Sequence, residues 1–283
     1  MRMISWVPRA SRLTIPAALL LLQSLAGIDC SESKNPAGTE PDVVAPTVSL
    51  AVSETLVLDA APLLLTATAS DDVGVTAVSF YDGDTLLQTM DEAPYELSIG
   101  LAEGDNGVHH YRAEAEDAAG NSAASAVHDV IVAINHQPVL LIGGFDTDAD
   151  GWELHHFDPW SGWSDASGNP PGCMVLNEFG SCDVDPGVTQ TVDGLIPGLS
   201  YELTGEYRPY VEWIGNPAAA SFVVTVDSVV VAAFARGPNG LDWSPFTASF
   251  TATATAHSIG FWAEHDCDDS SYDLDSVQIA VGR

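Results

Sequence analysis

Gly144-Phe145-Asp146-Thr147-Asp148-Ala149-Asp150-Gly151-Trp152 places three carboxylates at alternate positions and closes on a glycine and an aromatic. The far end of the chain answers it with Tyr272-Asp273-Leu274-Asp275-Ser276-Val277. Alternate carboxylates ending in Gly suit a hard cation, because calcium takes about six to eight oxygens and needs a backbone that turns sharply between them. The pair reads as a calcium site made by Asp146, Asp148, Asp150 and Asp275, clamping the first strand of a C-terminal β-domain to its last. The opening also matches the start of an EF-hand loop. That match fails at the twelfth position, where Phe157 stands in place of a bidentate Glu, and its flanks are strand-like. The plain alternative is three solvated aspartates in a turn.

Working outward, the chain is β throughout. Phe246, Ala248, Phe250, Ala252 and Ala254 alternate with Thr247, Ser249, Thr251, Thr253 and Thr255. Phe222, Val224 and Val226 lead to a turn at Asp227-Ser228, and Val229 to Phe234 return. Ile259, Phe261 and Ala263 mark another strand, and Pro197-Gly198 a tight turn between two more. Toward the N-terminus, Leu65, Ala67 and Ala69 alternate with polar neighbours, as do Tyr111, Ala113 and Ala115, which predicts strands with one buried face. Asp82-Gly83 tolerates the positive φ of a tight hairpin, and Asp117 to Asn121 form a second turn. No stretch of the mature chain keeps helical periodicity for three turns. The spacing of turn signals predicts two sandwiches, residues 43–134 and 139–283, joined by the short linker 135–138. The linker is too short for free tumbling.

Residues 1–26 read as an export signal: Arg2, Arg9 and Arg12, an apolar run from Ile15 to Leu22 too short to span a membrane, and the small-x-small site Ser24-Leu25-Ala26. Residues 27–42 form a polar tether. Its Cys30 is a candidate lipidation position, although Asp29 precedes it where a lipobox wants a small residue. The chain has 8 Lys+Arg against 40 Asp+Glu, a net charge of −32, and cleavage removes only basic residues. Such a surface repels nucleic acid and anionic lipid and attracts divalent cations. An exported chain can keep disulfides. Cys173–Cys182 closes a short loop and is the first choice, while Cys267 can pair with either, since connectivity does not follow from sequence.

Two stretches carry family resemblances. Pro46-Thr47-Val48, Ala69 to Val75, Val78 to Gly83, Ala93-Pro94-Tyr95 and Ala115 to Ser122 resemble the bacterial immunoglobulin-like domains of secreted glycosidases and surface proteins. The resemblance implies an immunoglobulin-like spacer or adhesive stalk without catalytic residues. Asp71, Asp72 and Asp117 are candidates for an interdomain calcium, against the plainer reading of turn-forming aspartates that bond their own backbone. Gly144-Phe145-Asp146 with Trp152, Val188 to Val192, Gly194 to Gly198 with Tyr201, and Leu274 to Val277 resemble the galactose-binding-like jelly rolls that include carbohydrate-binding modules. The fold expected is therefore all-β: an N-terminal immunoglobulin-like sandwich plus a C-terminal jelly roll. The second resemblance implies a structural calcium at Asp146 and Asp275.

Sugar recognition needs an aromatic platform beside hydrogen-bonding groups, because a pyranose has an apolar face and a polar rim. Trp160 and Trp163 in one loop, Tyr210 and Trp213 in another, and Trp243 are the candidates. Trp152 and Trp262 lie inside strand-like runs and read as structural. His155 and His156 are adjacent on a strand, point to opposite faces and suit no single ion. No catalytic motif appears. The expectation is an exported, non-catalytic, calcium-stabilised carbohydrate-binding protein of the cell surface or extracellular space. Its rivals are a structural or adhesive envelope protein that binds another protein, and a polysaccharide hydrolase or lyase.

Overall fold

Alternation of apolar and polar side chains is what makes these segments pair: each strand has one face to bury and one to leave wet. A computed structural model describes residues 41–138, 143–156, 161–166, 168, 172–177, 185–210, 221–235, 242–264 and 271–282. Among them, no helix is long and apolar enough to cross a membrane.

The N-terminal sandwich is built from β1 (Thr47–Val52), β2 (Leu56–Val57), β3 (Leu63–Ser70), β4 (Val75–Asp82), β5 (Thr85–Met90), β6 (Tyr95–Ile99), β7 (Gly107–Asp117), β8 (Ser122–Ala124) and β9 (His128–Val132). One sheet has the order β1-β3-β6. The other has the order β2-β9-β7-β4-β5, with β8 beside β7. Leu63, Leu65 and Ala67 from the first sheet meet Val78, Phe80, Tyr111, Ala113 and Ala115 from the second. These include the odd-numbered apolar residues that the alternation marks as inward. The β4–β5 hairpin turns at Gly83, whose φ of 55° glycine adopts at no steric cost. At the second expected turn, Asp117 accepts the amides of Ala119 and Asn121 at 2.8 and 2.9 Å.

The C-terminal sandwich is built from β10 (Glu153–His155), β11 (Gly162–Ser164), β12 (Cys173–Asn177), β13 (Gly187–Asp193), β14 (Ser200–Tyr210), β15 (Ser221–Val226), β16 (Val229–Ala235), β17 (Ser244–Thr251), β18 (Ala256–Glu264) and β19 (Ser271–Val281). Its two five-stranded sheets run β10-β13-β18-β15-β16 and β11-β12-β19-β14-β17. Phe222, Phe246, Phe261, Tyr207 and Tyr272 form an aromatic cluster between them, Phe222 stacking on Tyr207 at 4.9 Å. Trp152 packs against Phe145 and Phe261, so its structural reading holds.

The linker is short because it is used. Ala133 is buried in the second core, and Val108 and Ile131 pack against it. The Ile196 amide donates to the Tyr201 hydroxyl at 2.8 Å, which leaves that hydroxyl to donate to His136 Nε2 at 3.0 Å. Gly198, at φ 85°, lets the Pro197-Gly198 turn close against Ile131, whose Cδ1 would lie 2.9 Å from an added Cβ.

Candidate functional site

In β18, Ile259, Phe261 and Ala263 enter the core, so Ser258, Gly260, Trp262 and Glu264 face outward from the β10-β13-β18-β15-β16 sheet. The register aligns His155, Gly187, Trp262, Val223 and Ala233 in one row across the five strands. The neighbouring row holds Glu153, Thr189, Gly260 and Thr225. Two glycines therefore flank Trp262, the single large aromatic among the described residues of this face.

Those glycines decide how the indole lies. A Cβ on Gly187 would stand 2.2, 2.5 and 2.8 Å from three atoms of the Trp262 six-membered ring. A Cβ on Gly260 would stand 2.6 Å from Trp262 Nε1. The indole is thus pressed onto bare backbone on two adjacent strands. Its N–H donates to Thr225 Oγ1 at 2.9 Å, which fixes its rotation. The His155 ring extends the aromatic surface, with centroids 5.3 Å apart and planes tilted by 31°. His155 Nε2 in turn lies 2.8 Å from Thr189 Oγ1. Both rings remain partly exposed.

Carboxylates border the platform. The Ala263 amide donates to Pro186 O at 3.0 Å, continuing the β13–β18 ladder and setting Asp185 beside Glu264. Glu264 is raised above the ordinary carboxylate range, first by partial desolvation and then by the charge of Asp185. A partly exposed indole, an imidazole, a threonine hydroxyl and a carboxylate pair on one sheet face can stack on an apolar ring and accept hydrogen bonds from its polar edge.

Of the aromatics picked out in the sequence, Trp163 and Trp243 are described, and both lie elsewhere. Trp163 sits on β11 at the edge of the opposite sheet, 39% exposed, and its indole N–H donates to Phe145 O at 2.6 Å. Trp243 lies just before β17, under the Arg208 guanidinium at 4.7 Å. Arg208 also forms an ion pair with Asp273, which is 2% exposed, with Nε at 3.1 Å from Oδ2. Burial pushes the Asp273 carboxyl up and Arg208 opposes that rise. Trp160 and Trp213 lie outside the described residues, as does the side chain of Tyr210.

Of the acidic positions, Asp146 and Asp150 are exposed, Asp148 is half-buried and accepts the Asp150 amide at 3.1 Å, and Asp275 on β19 is fully buried. Val277 N–H donates to Gly143 O at 2.6 Å, which ties the segment before Asp146 to the last strand. Among the described residues, the carboxylates whose ligand atoms gather within 4.8 Å are Asp42, Asp71 and Asp117. Asp72 is not in that group. Cys173 is buried on β12, and Cys30, Cys182 and Cys267 lie outside the described residues, as do the expected signal and nearly all of the tether.

Trp262, His155 and Glu264 were not among the sequence candidates for ligand contact. The signal was available in phase: an aromatic at an even position within a strand whose odd positions are core must face out.

No curated protein matches the chain. Among solved structures, the chain is similar to fibronectin(III)-like modules of Clostridium thermocellum CbhA, at 28% identity over 30% of this chain and 94% of that one, with a TM-score of 0.28. It is similar to the CBM22-1–GH10 modules of Clostridium thermocellum xylanase 10B complexed with xylohexaose, at 17% identity over 52% of this chain and 29% of that one, with a TM-score of 0.39. It is also similar to the N-terminal cellulose-binding domain of Cellulomonas fimi β-1,4-glucanase C, at 18% identity over 50% of this chain and 95% of that one, with a TM-score of 0.37. The family model of the bacterial Ig domain matches residues 46–113, which span β1 to the first half of β7.

Proposed function

We propose that this is an exported, non-catalytic carbohydrate-binding protein whose ligand stacks on Trp262, on the outer face of the β10-β13-β18-β15-β16 sheet. The observation that carries the reading is the indole held on Gly187 and Gly260 with part of its surface exposed and His155 beside it. Holding an aromatic half out of the core leaves apolar surface in water. A pyranose ring covers that surface while its hydroxyls reach Thr189 and the carboxylates. Affinity electrophoresis against soluble xylan and mixed-linkage β-glucan tests it. Trp262→Ala abolishes most of the retardation, a loss of about 1–3 kcal/mol for an anchor of this size. Retardation unchanged by Trp262→Ala defeats the proposal.

The Asp185–Glu264 pair favours one rival, a glycosidase, since such enzymes use two flanking carboxyl groups with one raised. Release of reducing ends from a bound polysaccharide would establish it. Calcium belongs to the same proposal. Asp42 Oδ2 and Asp71 Oδ1 are buried and accept no hydrogen bond, beside a buried Asp117, and Asp275 is fully buried in the last strand. The Asp42 and Asp71 oxygens left without a hydrogen bond are stabilised by a bound cation.

A further inference from the structure

Resting on the reading of Trp262 as a glycan platform, we infer that the site is selective by charge: it takes uncharged glycans and rejects chains that bear uronate or sulfate groups. None of the five strands of this sheet carries a lysine or arginine, while Glu153 and Glu264 stand on its outer face. Asp185 sits opposite Glu264, one row from the indole, and Glu153 lies in the row on the other side, beside Thr189. The platform is therefore bordered by carboxylates on two sides. Among the described residues the guanidinium groups are those of Arg112, in the other sandwich beside Glu114, and Arg208, on the other sheet and paired with Asp273, while Arg236, which follows β16, lies outside the described residues. Neither reaches this face to meet an anionic ligand.

The consequence for recognition follows from donor and acceptor chemistry. Ionised carboxylates only accept hydrogen bonds, so they match the hydroxyl donors of a neutral sugar and have nothing to offer a second carboxylate or a sulfate. Like charges brought together at a partly desolvated surface repel, and rejection of the wrong partner by such contacts is a recognised source of specificity. The Glu264 carboxyl is raised first by partial desolvation and then by the charge of Asp185, so the neighbouring carboxylate adds to the cost of a further negative charge at this border. The repulsion extends over about a Debye length, near 10 Å at 0.1 M salt, so the discrimination weakens as salt rises.

The test uses the full-length protein and isothermal titration with three hexasaccharides: a β-1,4-xylan fragment, a β-1,4-glucan fragment and an α-1,4-galacturonan fragment. At low ionic strength at least one neutral probe binds, and the galacturonan binds at least tenfold more weakly. Glu264→Gln, at an exposed position where the fold is tolerant, narrows the gap, and added salt narrows it further. Neutral binding changes little with salt. Galacturonan binding as tight as neutral binding, with both lost in Trp262→Ala, overturns the charge selectivity and leaves the platform standing. Binding of none of the three, or binding indifferent to Trp262→Ala, overturns the platform and the selectivity with it.

Discussion

Gly187→Ala is the most informative single substitution in the second sandwich. Gly187 lies outside the left-handed region, so its backbone accepts alanine, and the three nearest atoms to an added Cβ all belong to the Trp262 ring. The added methyl would meet three ring atoms at 2.2–2.8 Å, where carbon atoms ordinarily rest about 3.5–4.0 Å apart. The indole must lift or swing by more than an ångström. Displacement gives up the 2.9 Å bond to Thr225, about 0.5–1.5 kcal/mol, and overpacking of this kind costs about 1–3 kcal/mol. A total of about 1.5–4.5 kcal/mol is expected by denaturant unfolding, together with loss of glycan retardation. In a Trp262→Ala background the clash is gone, and the same substitution becomes neutral or slightly stabilising through the unfolded chain. The double-mutant cycle should therefore show coupling of at least about 1 kcal/mol between the two positions. Equal cost of Gly187→Ala in both backgrounds would refute the placement of the indole.

Other consequences are open to measurement. Arg208→Ala leaves Asp273 buried without its cation, and unfolding at neutral pH should register a loss of about 3–5 kcal/mol, shrinking toward acid as Asp273 takes a proton. His136 is held below its ordinary 6.5 by burial, so the unfolded chain binds more protons beneath that value. Its share of stability is complete above 6.5 and falls as pH drops toward the folded value, and His136→Gln should flatten that limb. His109, raised by Asp82 and Asp105 against its burial, acts in the opposite sense: its contribution is complete below 6.5 and is lost as pH rises through the folded value. If calcium binds the acidic turns, melting in chelator falls below melting in calcium by the equivalent of about 2.7 kcal/mol at a hundredfold excess over Kd. Asp71→Asn and Asp275→Asn then divide the effect between the two sandwiches, and identical curves in chelator and calcium dispose of the metal.

The architecture was legible because it is periodic. The residues that alternate at 65–69, 111–115 and 246–251 lie in strands with the expected inward set, although β17 ends at Thr251, short of the alternation that runs on to Thr255, and the turns at Gly83, Pro197-Gly198 and Asp227-Ser228 fall where their residues place them. The site was less legible, because a ligand platform inside a strand has the same composition as a core strand. Trp152 and Trp262 both sit among apolar neighbours, and only one is in the core. What separates them is phase and the cross-strand identity of Gly187, which lies far away in sequence and becomes a neighbour through the register of β13 with β18. Asp42, Asp71 and Asp117 gather for a similar reason. Strand pairing brings them together, and no local spacing announces it.

The location of the ligand is the central claim, and the seven tryptophans supply its most direct test. In a proton–nitrogen NMR titration with a neutral oligosaccharide, each indole N–H reports its own surroundings. The Trp262 signal, assigned by its loss in Trp262→Phe, should shift with saturation, and the His155 ring should move with it. The Trp163 and Trp243 signals on the opposite sheet should stay in place. Shifts at Trp163 or Trp243 with Trp262 unmoved would contradict it.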